Sequence, residues 1–166
     1  MNIIKLSTMD TANGKGIGAV LWVAGCSHHC KGCHNPETWN AEHGRPFTQY
    51  TIEAIINAVK DPWVKRLTLS GGDPLYTSNR EPIHELLKEF RAVYPMGTKQ
   101  VWLYTGYLWE DIRDLELLDH VDVLVDGEYI QELKDLTLPF CGSKNQRIVD
   151  VQESLRQGKA ILYNCD

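Results

Sequence analysis

The sequence predicts an α/β fold in which a parallel sheet is built from strands that alternate with helices. Short apolar runs of strand length recur along the chain, and segments with helical spacing of apolar residues separate them. Such alternation is typical of right-handed crossover units, which bring consecutive strands together in parallel. No repeat and no Pro/Gly/Ser-rich linker divides the 166 residues, so we expect residues 1–166 to form a single domain.

Four apolar runs define the main predicted strands. We interpret "NGKGIG" (residues 13–18), which leads into the first run, as a flexible segment. Two weaker runs near the end of the chain are interpreted as additional short strands. The main strands are predicted at residues 18–23, 66–70, 100–105 and 121–126, and the weaker ones at 147–151 and 160–164.

Helical periodicity appears between these runs. The clearest helix follows the second strand, where Ser78 and Glu81 form a capping-box pattern and Pro82 occupies the first turn. The apolar positions that predict the three helices are Ile52, Ile55, Ile56 and Val59; Ile83, Leu86, Leu87 and Phe90; and, more weakly, Leu108, Ile112 and Leu115.

The net charge and the lengths of the apolar runs argue against two classes of partner. The formal net charge is -5, which argues against nucleic acid as a partner because phosphate binding favours a basic face. No apolar run approaches the roughly 18 residues needed to span a bilayer, and the first residues lack a secretory apolar region. We therefore expect a cytoplasmic protein with neither a nucleic-acid nor a membrane partner.

Chemically suggestive turns follow each of the four main strands. They are Gly25-Cys26, Gly71-Gly72-Asp73, Thr105-Gly106 and Asp126-Gly127. Parallel α/β sheets bind ligands beyond the carboxyl ends of their strands, so these four turns are expected on one rim as a single site.

The stretch "GCSHHCKGCHN" (residues 25–35) contains three of the five cysteines, Cys26, Cys30 and Cys33. Four thiolates would complete a 4Fe–4S cluster, whereas three leave one iron open to another ligand. A metal site with a vacancy is usually a site of chemistry. Structural zinc remains the alternative, with His28, His29 or His34 as a fourth ligand. We interpret Cys141 and Cys165 as ordinary buried or tail residues.

The C-x3-C-x2-C loop after a first strand resembles the signature of the radical S-adenosylmethionine (SAM) enzymes. The resemblance implies a partial (incomplete) radical-SAM (β/α) barrel and a 4Fe–4S cluster held by the three cysteines, whose open iron binds SAM. "SGGDP" (residues 70–74) resembles the segment of that family that receives the SAM ammonium, which assigns this role to Gly71, Gly72 and Asp73.

Further cofactor contacts follow from the same resemblance. Gly32, Cys33 and His34 are expected near the adenine, although many relatives carry an aromatic residue where this chain has Gly32. Thr105 and Asp126 are candidates for ribose or cation contacts, with an ordinary turn role as the alternative. Asn145 and Gln146 are candidates for contacts with SAM or a partner, with loop polarity as the alternative. No general acid–base pair is assigned.

A narrower resemblance covers most of the chain. "GCSHHCKGCHNPETW", "LSGGDPL", "WLYTGY", "VDVLVDGEY" and "GSKNQRIVDV" occur in the order typical of the activating enzymes of the anaerobic, glycyl-radical ribonucleoside-triphosphate reductases. That family implies the reductase as protein substrate and an electron donor such as reduced flavodoxin. The alternatives are an activase of pyruvate formate-lyase type, a small-molecule radical SAM enzyme, and a structural zinc-binding interaction module.

Overall fold

A computed structural model describes residues 1–165, and its centre is one sheet of seven strands. The five strands predicted up to residue 151 are present, each within two residues of its expected limits. The strands are β1 (Asn2–Asp10), β2 (Ile17–Val23), β3 (Arg45–Pro46), β4 (Val64–Gly71), β5 (Gln100–Tyr104), β6 (Val123–Asp126) and β7 (Arg147–Asp150).

The sheet is parallel at its centre and antiparallel at its edges. Its strand order is β3-β1-β2-β4-β5-β6-β7, and the neighbours among β2, β4, β5 and β6 run parallel. β1 pairs antiparallel with both β2 and β3, and β7 pairs antiparallel with β6. The prediction of a parallel sheet is therefore wrong at both edges. The connections to these edge strands contain no α-helix of the kind that a parallel crossover needs.

In the described residues, four α-helices and several short 3-10 turns lie between the strands or follow the last one. Within residues 1–165, no helix is both long and apolar enough to cross a membrane. The helices are α1 (Gln49–Ala58), α2 (Arg80–Val93), α3 (Trp109–Ile112) and α4 (Val151–Gln157), and the 3-10 turns lie at Pro36–Thr38, Thr77–Asn79, Glu116–His120 and Gln131–Leu133.

The predicted capping box at the start of α2 is wrong. Ser78 lies inside the preceding 3-10 turn, and Asn79 occupies the N-cap position without a side-chain hydrogen bond to the helix. Asn79 instead donates from its side chain to the carbonyls of Ala24 (2.8 Å) and Asp73 (3.0 Å). A true capping box occurs at α1, between Thr48 and Thr51. The weak third helix is a single turn, α3.

The two faces of the sheet differ in chemistry because successive side chains of a strand point to opposite faces. On β4, Leu67 and Leu69 pack into the main apolar core, whereas Arg66 and Thr68 belong to the opposite face. The same alternation separates Leu103, in the main core, from Trp102, which joins a smaller cluster with Val123 and Val125. The main core includes Ile52, Ile55, Ile83, Leu86, Leu87 and Phe90 from the helices.

The beginning and end of the chain differ from prediction. β1 was not predicted, and the segment expected to be a flexible lead-in is held between β1 and β2. There the Asn13 carbonyl accepts from Thr68 Oγ1 at 2.8 Å, and Gly14 packs against Arg66. No strand forms at 160–164, where Leu162 makes only an isolated bridge to Val149.

Candidate active site

A cavity of about 670 Å³ lies at the carboxyl ends of the parallel strands. It is the rim that the sequence predicts, since residues from the turns after β2, β4, β5 and β6 all line it. The predicted site residues that share this cavity are Cys26, Cys30, Cys33, His34, Gly71, Gly72, Asp73 and Thr105.

The loop that carries the three cysteines is fixed at its start. The Gly25 amide donates to the Thr38 carbonyl at 2.7 Å, and the Cys26 amide donates to the Trp39 carbonyl at 3.1 Å. Gly25 has φ of 96°, and a Cβ there would come within 2.7 Å of the Tyr76 ring. Backbone bonds therefore place Cys26 at the cavity before the loop turns back towards Cys30 and Cys33.

The three thiols are free and partly exposed. Burial raises the pKa of the Cys26 thiol, and it also raises the pKa of the Cys30 thiol. Cysteines bind metals as thiolates, so binding of a metal by these thiols would release protons. The Cys33 sulfur accepts a hydrogen bond from the Asn35 amide at 3.4 Å, a contact that suits a thiolate.

The chemistry of the donors fits an iron–sulfur cluster. Three soft sulfur donors from one loop line one cavity, and thiolates are the usual ligands of such clusters. In the described part of the chain, no group of three or more His, Cys, Asp or Glu is arranged to hold a single metal ion. A four-iron cluster does not require that arrangement, since each thiolate binds a different iron.

The glycines after β4 join the cysteine loop through the backbone. The Gly72 amide donates to the Val23 carbonyl at 2.8 Å, and the Asp73 amide donates to the Gly25 carbonyl at 2.7 Å. A Cβ on Gly72 would lie 2.4 Å from the Gly25 carbonyl oxygen. Glycine at this position therefore allows two segments of the site to approach each other, in addition to any approach by a ligand.

Asp73 is buried, with 1% of its surface exposed, and its carboxylate accepts several hydrogen bonds. Thr105 Oγ1 lies 2.9 Å from both carboxylate oxygens, and the Gly106 amide donates to Oδ2 at 3.1 Å. The Leu75 amide donates to Oδ1 at 2.8 Å. Asp73 and Thr105, which the sequence proposes as separate ligand contacts, thus bind each other across the ends of β4 and β5.

The sequence suggests the loop histidines as polar residues or hydrogen-bond donors near the cluster, but it does not identify the partners of His28. Its Nε2 lies 2.9 Å from Asp73 Oδ2, and its Nδ1 lies 2.8 Å from Glu128 Oε1. The hydrogen bond to Asp73 raises the pKa of His28, burial opposes that rise, and the hydrogen bond to Glu128 adds to it. His28 therefore ties the cysteine loop to the turns after β4 and β6.

Gly32 and Asp126 lie outside the cavity lining, and both have protein partners. Gly32 packs against Gln131, whose Cδ would lie 2.8 Å from a Cβ on Gly32. Asp126 is fully buried and accepts from the Trp109 amide at 2.8 Å and from Arg147 Nε at 3.0 Å. In this structure the Asp126 carboxylate therefore binds neighbouring protein groups at the end of β6.

Asn145 and Gln146, the candidates for contacts with SAM or a partner, form hydrogen bonds within the connection between β6 and β7. The Asn145 side chain donates to the Glu128 carbonyl at 2.8 Å, and the Gln146 side chain donates to the Gly127 carbonyl at 3.0 Å. Of the two, only Gln146 lines the cavity. His29 does not line it either, because its ring packs on Trp39 with 4.8 Å between ring centroids.

Much of the remaining cavity wall was not predicted. It consists largely of apolar and aromatic side chains. Several of them come from a long irregular loop, and the rule that ligands bind beyond the carboxyl ends of parallel strands does not identify such residues. Alternation along β5 could have placed Tyr104 on the cavity face. The additional lining residues include Trp22, Tyr104, Tyr129, Leu136, Leu138, Phe140 and Cys141.

Residues 12–149 match the model of a protein family described as a 4Fe-4S single cluster domain. The chain is also 44% identical over 148 residues to the anaerobic ribonucleoside-triphosphate reductase-activating protein of Enterobacteria phage T4, covering 89% of this chain and 93% of that protein. Proteins of the same name are similar to it in Escherichia coli K12, with 40% identity (88% and 96% covered), and in Vibrio cholerae serotype O1, with 41% identity (89% and 97% covered).

Proposed function

The chain belongs to the family of anaerobic ribonucleoside-triphosphate reductase-activating proteins and contains a 4Fe–4S single cluster domain, and from this premise we propose that it activates such a reductase by radical chemistry on SAM. The product on the partner is a glycyl radical. This family membership favours the iron–sulfur reading of the cysteine loop over the zinc alternative. It also favours the reductase over other glycyl-radical enzymes as the partner.

Cys26, Cys30 and Cys33 are proposed to hold the cluster through their sulfur atoms. When bound, a 4Fe–4S cluster with one iron free of protein ligands supplies the electron that splits SAM into methionine and a 5′-deoxyadenosyl radical. The loop provides three cysteines and no fourth, and these three line the same cavity as Gly71 and Gly72. The protein thus brings the electron source and the SAM pocket together.

The cavity residues are proposed to bind and orient SAM. Backbone oxygens at Gly71 and Gly72 and the carboxylate of Asp73 suit the ammonium group, while Thr105 holds the carboxylate in place. His34 lies beside Tyr129, with 5.8 Å between ring centroids, and this pair offers the adenine a packing surface close to Gly32. Apolar side chains that also line the cavity, such as Leu138 and Phe140, are proposed to keep water from the radical.

The size of the protein is consistent with a protein substrate. We propose that residues 1–166 act as a single radical SAM domain with a partial barrel formed by the parallel strands and their helices. The 670 Å³ cavity opens to the surface, so a glycine-bearing loop of the reductase can complete it. A cytoplasmic location and a donor such as reduced flavodoxin fit this chemistry.

One observation carries the proposal. The three cysteines and the Gly-Gly-Asp turn line one cavity, and a hydrogen bond of 2.7 Å from the Asp73 amide to the Gly25 carbonyl joins their segments. SAM cleavage needs this arrangement, because one SAM molecule must contact both the cluster and the residues that receive its ammonium group within a single pocket.

The decisive experiment mixes the reconstituted protein, SAM and a reductant with the anaerobic reductase and records electron paramagnetic resonance spectra. We expect a glycyl-radical signal that requires all four components. A reductase variant with alanine in place of the radical-bearing glycine is the control and gives no signal. A signal with pyruvate formate-lyase and none with the reductase would reassign the partner. A colourless, zinc-containing protein would refute the radical mechanism.

A further inference from the structure

The carboxylate of Asp73 has one partner that can be exchanged. Two of its donors are the backbone amides of Leu75 and Gly106, and a third is the short side chain of Thr105 at the end of β5. These groups cannot leave without disrupting strand ends. The fourth donor is His28 Nε2, which is on a longer side chain and approaches from the cysteine loop at 2.9 Å.

His28 has a second acceptor that would retain it after such an exchange. Its Nδ1 lies 2.8 Å from Glu128 Oε1, and the side chain of Glu128 is 56% exposed, whereas that of Asp73 is 2% exposed. Both ring nitrogens face carboxylate oxygens, so the ring is held between Asp73 and Glu128 from its two sides. The two carboxylates that face the ring make this position favourable for a cationic group.

We propose that His28 holds the place of the SAM ammonium in the ligand-free protein and is displaced from Asp73 when SAM binds. This inference rests on the proposed function. The ammonium takes over the hydrogen bond to Asp73 Oδ2, and the ring remains bonded to Glu128. A buried carboxylate that loses a hydrogen-bond donor is costly to leave unpaired, so one donor replaces another and Asp73 keeps its full set of donors in both states.

This movement requires the ring to give up contacts with two neighbours, Tyr107 and Gly106. His28 lines the cavity and packs edge-on against Tyr107, with 4.7 Å between ring centroids. It covers Gly106, where a Cβ would lie 2.5 Å from the ring. Because Glu128 is largely in solvent, the ring can follow its carboxylate outwards without being transferred to an apolar site.

The proposal predicts the direction in which the affinity for SAM changes when His28 is replaced. SAM dissociation constants are measured by anaerobic equilibrium dialysis with cluster-reconstituted protein and no reductant, so that no cleavage occurs. His28→Ala removes the competitor, and SAM should bind about tenfold more tightly, the size expected for one charge-assisted hydrogen bond. Binding of 5′-methylthioadenosine, which lacks the amino-acid end of SAM, should not change.

Glu128→Ala provides an independent variant at an exposed position. The displaced ring then has no second acceptor, so SAM should bind several-fold more weakly, and this loss should shrink in the His28→Ala background. Weaker or unchanged SAM binding by His28→Ala with its iron content intact would overturn the proposal. So would an equal gain for 5′-methylthioadenosine. If His28→Ala loses iron, unchanged SAM binding by Glu128→Ala overturns it. Wild-type protein that binds no SAM would instead refute the proposed function.

Discussion

Asp126 and Arg147 form an ion pair between neighbouring antiparallel strands at the edge of the sheet. Arg147 Nε donates to Asp126 Oδ1 at 3.0 Å, and Nη2 of the same guanidinium contacts Oδ2. The side chain of Asp126 is fully buried, whereas that of Arg147 is 31% exposed and also reaches Glu110. Arg147 therefore neutralises a carboxylate that has no access to water.

This pair predicts a large loss of stability in Arg147→Ala. The variant leaves a buried carboxylate without its cation, and we expect the free energy of unfolding to fall by about 3 kcal/mol. Urea denaturation monitored by circular dichroism measures the change. Glu110→Gln removes only the exposed half of the network and should cost less than about 1 kcal/mol. Equal losses in the two variants would contradict the role assigned to Asp126.

Cys30→Ala should abolish cluster binding while the fold persists. The change leaves two thiols in the loop, too few to hold the cluster, and Cys30 lies in a segment outside the main apolar core. Iron and sulfide content and the visible absorption of the reconstituted protein measure the result. Cys165→Ala is the matched control and should load as the wild type does. A Cys30→Ala protein that retains full SAM cleavage would remove this cysteine from the ligand set.

The sequence predicted the central strands and the edge of the sheet that carries the candidate site. Both follow directly from the pattern of apolar residues along the chain. Apolar runs such as residues 66–70 identified the central strands, and the parallel-sheet rule then placed Cys26, Gly72 and Thr105 on one rim. That argument needs only the order of elements along the chain. It does not depend on the exact contacts of any side chain.

The features that the sequence did not predict depend on contacts between residues that are far apart in the chain. In β1, Ile3 is the one fully buried apolar residue, so this strand lacks a continuous apolar signal and forms because β2 offers an open edge. Asp126 was assigned to the cofactor by its place after a strand, but its distant partner Arg147 lies 21 residues away in sequence. No local pattern links His28 to Glu128, which is 100 residues further along.

Thr105→Val should destabilise the protein although the two side chains have nearly the same shape. The hydroxyl donates to Asp73 at 2.9 Å and accepts from the Tyr107 amide at 3.2 Å, so valine leaves buried polar groups without this partner. We expect a loss of about 1–3 kcal/mol in the free energy of unfolding. Thr105→Ser keeps the hydroxyl and is the control. If serine and valine cost the same, the hydroxyl has no structural role.

Alkylation of Cys141 should be slow at neutral pH and accelerate strongly in alkali. Burial raises the pKa of its thiol to about 11, so only about one in a thousand is ionised at pH 8. Because the thiolate is the reactive form, the rate with iodoacetamide should rise about tenfold per pH unit from pH 8 to 10. Mass spectrometry of cluster-free protein measures it. Urea-unfolded protein is the control, and a similar rate at pH 8 in both states would contradict the shift.

Gly72→Ala should disrupt the site through a clash that cannot relax. The new Cβ would lie 2.4 Å from the Gly25 carbonyl oxygen and 2.9 Å from the Thr38 carbonyl oxygen, and both atoms belong to the backbone that positions Cys26. Overpacking against fixed backbone costs about 1–3 kcal/mol, and we expect the upper part of that range together with weaker cluster binding. Gly97→Ala is the comparison without a clash. Gly97 has no atom within 4 Å of the added Cβ, and its φ of 84°, a left-handed value that Gly72 does not have, sets a conformational cost of about 1 kcal/mol. Urea denaturation and iron content after reconstitution report on both variants. A Gly72→Ala protein that loses no more stability than Gly97→Ala and binds iron normally would show that the turn after β4 can move away from the cysteine loop, which the hydrogen bond from Asp73 to Gly25 should prevent.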